Sequence, residues 1–187
     1  MRIVVGISGA TGAIYGVRLL EVLRQLGVET HLVLSGTAGQ TIAYETDWRV
    51  DDLARLAHKV YPVEDVAAAI SSGSFRTDGM VVTPCSVKTL SGIANSYNDN
   101  LLTRAADVTL KERRKLVLVV RETPLHLGHL RLMTAVTEMG AVILPPMPAF
   151  YHKPATLAEI VDQTVGKVLD QFGLEAGLFR RWTGAES

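Results

Sequence analysis

The chain has 187 residues, 48% of them hydrophobic, which suits one compact domain with a substantial core, and its 19 Lys and Arg balance 19 Asp and Glu, so neither a polyanionic partner nor nucleic acid is implied. Its single cysteine excludes an internal disulfide framework and any multi-cysteine zinc site. No apolar run reaches the roughly 18 residues of a membrane span, and the N-terminus opens on a strand pattern rather than a signal sequence, so no membrane association and a cytoplasmic location are expected.

The first apolar run, Ile3-Val4-Val5, predicts a buried strand that stops at the loop Gly6-Ile7-Ser8-Gly9-Ala10-Thr11-Gly12. Amphipathic spacing over residues 15–23 predicts a helix closed by Gly27 in the manner of a C-cap. His31-Leu32-Val33-Leu34 is the second strand and delivers Ser35; a short helical stretch follows at residues 66–70. Met80-Val81-Val82 runs into Thr83-Pro84-Cys85-Ser86-Val87-Lys88-Thr89, and Thr89-Leu90-Ser91-Gly92 has the look of a helix start. Helical spacing recurs over residues 101–114, 126–139 and 157–172. Between these helices, residues 116–120 deliver Arg121-Glu122, and Val142-Ile143-Leu144 delivers Pro145-Pro146 and then Tyr151.

Alternating strands and helices predict an α/β fold: a single Rossmann-like (flavodoxin-like) domain over residues 1–187, an open and mainly parallel sheet with helices on both faces, and residues 174–187 as a C-terminal extension. Apolar residues in that extension point to surface buried between subunits of a homo-oligomer. In such sheets ligands bind beyond the carboxyl ends of the strands, so the five strand-end loops are expected to converge on one site.

Glycines at positions 6, 9, 12 and 16 do not make G-x-G-x-x-G, and no Gly-Lys-Ser/Thr follows, so neither a dinucleotide nor a triphosphate signature is present. The loop fits an ordinary strand-to-helix turn as well as a ligand seat in which Ser8 and Thr11 offer hydroxyls beside a helix N-terminus. Ser86, Lys88 and Thr89 suit a phosphate or the polar rim of a heterocycle, although Ser86 could equally be a plain helix cap. Cys85 reads as a small buried hydrophobe rather than a nucleophile, and His126 and His129 lack a third ligand at metal spacing. Arg104 and Lys111 share a helix face with Asp107 between them, an arrangement that also fits an exposed ion-pair ladder. With Arg121, Lys167 and the Tyr151 phenol near the same predicted edge, four cations and a hydroxyl suit a phosphate.

From end to end the sequence resembles the UbiX-type flavin prenyltransferases, formerly described as aromatic-acid decarboxylases. The matching stretches include Gly6-Ile7-Ser8-Gly9-Ala10-Thr11-Gly12-Ala13, Glu45-Thr46-Asp47, Ser71-Ser72-Gly73-Ser74-Phe75, Pro84-Cys85-Ser86, Arg104-Ala105-Ala106-Asp107-Val108, Arg121-Glu122-Thr123-Pro124-Leu125 and Pro148-Ala149-Phe150-Tyr151. The resemblance implies transfer of a dimethylallyl group from dimethylallyl monophosphate to N5 and C6 of reduced FMN, giving a prenylated flavin for a UbiD-type decarboxylase, in ubiquinone synthesis or aromatic-acid breakdown. It implies FMN contacts from Gly9, Ala10, Thr11, Ser35, Ser86, Val87, Lys88, Thr89 and Arg121, and prenyl-phosphate contacts from Arg104, Lys111, Arg121, Tyr151 and Lys167. Glu45 and Glu122 would move protons, Trp182 would wall the prenyl pocket, and the assembly would be a dodecamer. Thr11 stands where serine is usual, which keeps a hydroxyl, and Lys167 where arginine is common, which replaces a fork by a point charge.

An aromatic face beside a developing allylic cation fits this chemistry, and Asp51-Asp52 has no second acidic cluster to hold magnesium, so fixed cations and the Tyr151 hydroxyl are expected to stabilise the departing phosphate without a metal. Two other readings are a flavin-dependent cysteine-type decarboxylase of the related fold and a non-catalytic FMN-binding subunit. The Lys111, Arg121, Tyr151 and Lys167 group argues against the first, and a passive carrier gives Glu45 and Glu122 no role.

Overall fold

In the computed structural model, which describes residues 1–184, strand β1 (Arg2–Ile7) lies at the middle of a six-stranded sheet and is buried from Ile3 onward. Ile3, Val5 and Ile7 join one hydrophobic core and Val4 the other, as the two-residue period of a strand requires when both faces are covered. The other strands are β2 (Glu29–Leu34), β3 (Lys59–Tyr61), β4 (Gly79–Cys85), β5 (Lys115–Val120) and β6 (Val142–Ile143), in the order β3-β2-β1-β4-β5-β6. Every neighbouring pair is parallel. The chain therefore winds outward in both directions from β1 and β4, and the crevice where the direction reverses opens beyond Ile7 and Cys85.

Helices α1 (Ala13–Gln25), α2 (Ala38–Glu45), α3 (Val50–Leu56) and α7 (Leu157–Asp170) cover one face, where Leu19, Leu20 and Leu23 of α1 meet Val165, Val168 and Leu169 of α7. On the other face α4 (Val87–Ala94), α5 (Leu101–Lys111) and α6 (Leu127–Glu138) pack Leu90, Ile93, Leu102 and Val136 against Met80, Val82, Leu116 and Leu118. The expected open parallel sheet with helices on both faces is thus present. Gly27 ends α1 in a left-handed turn, its N–H bonded to the Arg24 carbonyl while the Val28 N–H reaches Leu23, which closes the helix as expected.

Three local expectations need correction. The short strand β3 and the helix α3 lie where no element was expected, whereas α2 matches the helical spacing that leads to Glu45. Residues 66–70 hold no α-helix; only a 3₁₀ turn forms, at Ala69–Ser71. β4 continues through Thr83-Pro84-Cys85, all buried, so the loop begins at Ser86. Residues 174–184 form no helix or strand and turn back along α7, and residues 185–187 of the expected extension lie outside the described residues. Among the described residues no helix is long and apolar enough to cross a membrane.

Candidate functional site

A cavity of about 980 Å³ opens at the carboxyl ends of the central strands, with Gly9, Ser35, Thr37, Ser86, Lys88 and Thr89 on one side and Tyr97 and Asn100 on the other. Three loops build its polar side. Ser35, just past β2, donates its N–H to the Ile7 carbonyl at 2.9 Å, and its hydroxyl lies 3.4 Å from that of Thr37. Ser86 caps α4, accepting the Thr89 N–H at 3.3 Å and sharing a 3.1 Å hydroxyl contact with Thr89. It thereby holds the first turn of α4 open beside the cavity, where free N–H groups and Lys88 favour an anion or a polar heterocycle.

Of the two readings open for Ser8, the ordinary turn is the one present, for Ser8 is buried. It donates to the Pro84 carbonyl at 2.8 Å and accepts the Ser86 N–H at 2.7 Å, which staples the loop after β1 to the loop after β4. Cys85 is fully buried and its thiol is pushed up to about 12 by that burial, as suits a packing residue.

Glu45, the last residue of α2, supplies the cap that α1 lacks. Gly12 at the α1 N-cap has no side chain, and one Glu45 carboxylate oxygen accepts the Gly12 N–H at 2.7 Å and the Ala13 N–H at 3.0 Å. Burial alone would raise the Glu45 carboxyl, yet the Thr11 hydroxyl, these two N–H groups and the Arg121 charge together hold it below the ordinary carboxylate value. Arg121 leaves the end of β5 with its N–H on the Cys85 carbonyl at 3.1 Å. Tyr15 belongs to the same group: burial raises its phenol, and Arg121 and Thr164 oppose the rise. Glu122 is exposed and accepts the Thr123 N–H at 3.0 Å.

The other residues singled out in the sequence lie on α5, on α7 and in the segments that flank α7. Tyr151 and Trp182 meet edge-on with ring centroids 6.0 Å apart, and Lys167 reaches Asp170 at 3.4 Å. Arg104 pairs with Asp107 at 3.0 Å and donates to the Ser71 carbonyl at 3.2 Å, whereas Lys111 pairs with Glu112 rather than with Asp107. The expectation that Lys111 shares the edge of Arg121 is not met within one chain: α5 ends at Lys111 and the chain then enters β5 at Lys115, so Lys111 lies at the strand-start edge, about 20 Å of strand away from Arg121. That placement follows from α5 running antiparallel to the strand it precedes, a topological signal available in the order of elements.

His126 accepts the Gly128 N–H at 3.0 Å as the N-cap of α6 and stacks on His129 with centroids 3.6 Å apart. Among the described residues no group of three or more His, Cys, Asp or Glu gathers to hold a metal. No sequence motif singles out Thr37, Tyr15 or Tyr97 as site residues.

Comparison with known proteins gives a consistent answer. The Flavoprotein family model matches residues 1–170. The chain is 67% identical over 186 residues to the flavin prenyltransferase UbiX of Thauera aromatica, covering 100% of this chain and 96% of that one. The crystal structure of AnUbiX (PadA1) in complex with FMN and dimethylallyl pyrophosphate superposes with a TM-score of 0.97 at 55% identity, covering 99% of this chain and 98% of that one. A dodecameric FMN-dependent UbiX-like decarboxylase from Escherichia coli O157:H7 gives a TM-score of 0.97 at 56% identity, covering 98% of this chain and 100% of that one.

Proposed function

This chain belongs to the flavoprotein family and, within it, to the UbiX flavin prenyltransferases, and from that premise we propose that it joins a dimethylallyl group to reduced FMN. The observation that carries the reading is the likeness, over nearly the whole chain, to a structure holding FMN and a dimethylallyl phosphate ester. The residues fit the flavin. The cavity is of ligand size, it lies at the switch point of the sheet, and hydroxyls, Lys88 and the first turn of α4 line its polar side. Gly9, Ala10, Thr11, Ser35, the segment from Ser86 to Thr89, and Arg121 would hold FMN.

In the reaction, flavin N5 would displace phosphate from the allylic carbon and lose its proton, the prenyl double bond would gain a proton, and C6 would lose one as its bond to the prenyl unit closes the ring. Glu45, kept ionised beside Thr11 and Arg121, is set to accept a proton rather than to donate one at neutral pH. Glu122, beside Arg121 at the end of β5, serves the second transfer. Tyr151 and Trp182 form an aromatic corner whose faces favour an allylic cation, and Lys167 lies on the helix beside them. Lys111 lies away from Arg121 within one chain, so we assign it, with Arg104 on the same helix, to the donor phosphate of a neighbouring copy, in an assembly like the dodecameric relative. The donor is the monophosphate, whose smaller charge Lys and Arg side chains can balance without a metal. The product serves a UbiD-type decarboxylase in the cytoplasm.

Titration of single alanine variants tests the assignment. Lys111→Ala, Arg121→Ala, Tyr151→Ala and Lys167→Ala should each weaken use of dimethylallyl monophosphate about ten- to a hundredfold, the loss expected for one charge-assisted hydrogen bond of roughly 1.5–3 kcal/mol. FMN affinity should change only in Arg121→Ala. An unchanged donor response in all four would remove the phosphate site, and Lys167→Arg should bind the donor at least as tightly as the native chain.

A further inference from the structure

A chain end frays unless something ties it down, and here the tie is built around one carboxylate. After α7 the chain reverses at Gly173, whose φ of 67° sits in the left-handed region, with its N–H on the Asp170 carbonyl and the Leu174 N–H on the Leu169 carbonyl. Leu174, Ala176 and Leu178 then pack on the core beside α7. Phe179 lies so close to Gly166 that a Cβ there would sit 2.4 Å from its ring, so the absence of a side chain in mid-helix makes its seat. Two residues on, Arg181 forks onto Asp170, with one guanidinium nitrogen 2.7 Å from Oδ1 and the other 3.2 Å from Oδ2, while its Nε lies 3.4 Å from Glu175. The next residue is Trp182, which meets Tyr151.

We propose that the Arg181–Asp170 fork is a latch that seats Trp182 for the reaction, with both as positioning residues; this rests on the prenyl-transfer reading above. Exposed ion pairs are usually weak, but this one is two-pronged and the Asp170 side chain is only 18% exposed. Arg181 and then Lys167 hold the Asp170 carboxyl below its ordinary value, so it stays charged throughout the neutral range. The same carboxylate thus anchors Lys167, assigned above to the donor phosphate, and the tail that carries the aromatic wall. Arg181 spends its guanidinium on Asp170 and Glu175, and its effect reaches the reaction through Trp182.

Two readouts separate the latch from the reaction it serves. In a Trp48→Phe background, which leaves Trp182 as the only tryptophan, the fluorescence anisotropy of the assembled protein reports how firmly Trp182 is held. Arg181→Ala and Asp170→Asn should lower it, and Arg181→Lys, which keeps the charge but not the fork, should fall between. Gly166→Ala should lower it as well by displacing Phe179, without touching a charge.

In the native background, Arg181→Ala should reduce turnover at saturating donor by roughly 2- to 30-fold, the worth of one cation–π contact. FMN affinity should stay unchanged, and Arg181→Ala combined with Trp182→Ala should be no slower than Trp182→Ala alone. Unchanged anisotropy in Arg181→Ala, or a double variant whose losses multiply, would overturn the latch. If the native chain makes no prenylated flavin, the prenyl-transfer reading falls, and the anisotropy alone decides whether the latch exists.

Discussion

Glu45 shows how much one residue's role depends on its setting. At the end of α2 it caps α1 across the mouth of the glycine-rich loop, and the N–H groups that it satisfies are part of what keeps it ionised. Glu45→Gln and Glu122→Gln should therefore still bind FMN and donor while turnover drops about 10²–10⁴-fold, the usual range for a lost general acid or base. Rapid mixing under anaerobic conditions, followed by mass analysis, should show flavin attached to the prenyl unit without ring closure; native rates of complete product in both variants would refute the proton-transfer role. The choice of Glu45 was open to sequence resemblance, but its capping bond was not, because α2 itself carries no strong signal: only Ala38 and Ile42 of its residues are buried. The role of Ser8 stays open in the sequence for a related reason, since nothing there says that its hydroxyl faces Pro84 rather than the cavity.

At the scale of elements, the apolar runs carried the fold. β1, β2, β4 and β5 are each buried over most of their length, so their period and composition mark them plainly. β3 is three residues at the sheet edge with Lys59 and Val60 exposed, and it could not be told from a loop. Residues 66–70 are apolar because Ala68 and Ile70 plug the core beneath α5, a burial that needs no helix.

The close approach of α1 to the end of β4 was equally hidden. A Cβ on Gly16 would lie 2.5 Å from the Thr83 carbonyl oxygen. Gly16→Ala should accordingly lower the melting temperature and weaken FMN binding, although an alanine in mid-helix ordinarily gains about 0.5–1 kcal/mol; a raised melting temperature would show that the helix can shift without cost. At the opposite edge of the sheet, hydrogen bonds from Arg2 and His31 hold the Glu29 carboxyl down from 4.5 to about 2. Because the folded value is the lower one, this stabilisation is present above the unfolded value of 4.5 and is lost as the pH falls toward 2. Glu29 is 38% exposed, so the effect is modest. Glu29→Gln should flatten the acid limb of a denaturation series between those values and leave stability at neutral pH little changed in slope; an identical limb would remove the pair from the account.

For the whole molecule, the decisive feature is that one chain holds Lys111 apart from Arg121, although both are expected at the phosphate site. The cavity lies at the carboxyl ends of the strands, Lys167 lies on α7, and Lys111 lies at the strand-start edge. The exposed apolar side chains Leu127, Met147, Phe150 and Leu157 offer surface for copies to bury. Sedimentation at micromolar concentration should therefore find an oligomer, and conditions that dissociate it should abolish use of the donor before FMN binding is lost; a stable, active monomer would contradict the composite site. The central claim is met most directly by the mass of the flavin after anaerobic incubation of the protein with reduced FMN, dimethylallyl monophosphate and a metal chelator. The account predicts FMN heavier by one dimethylallyl unit, with an equal amount of inorganic phosphate released, and unaltered FMN under these conditions would contradict it.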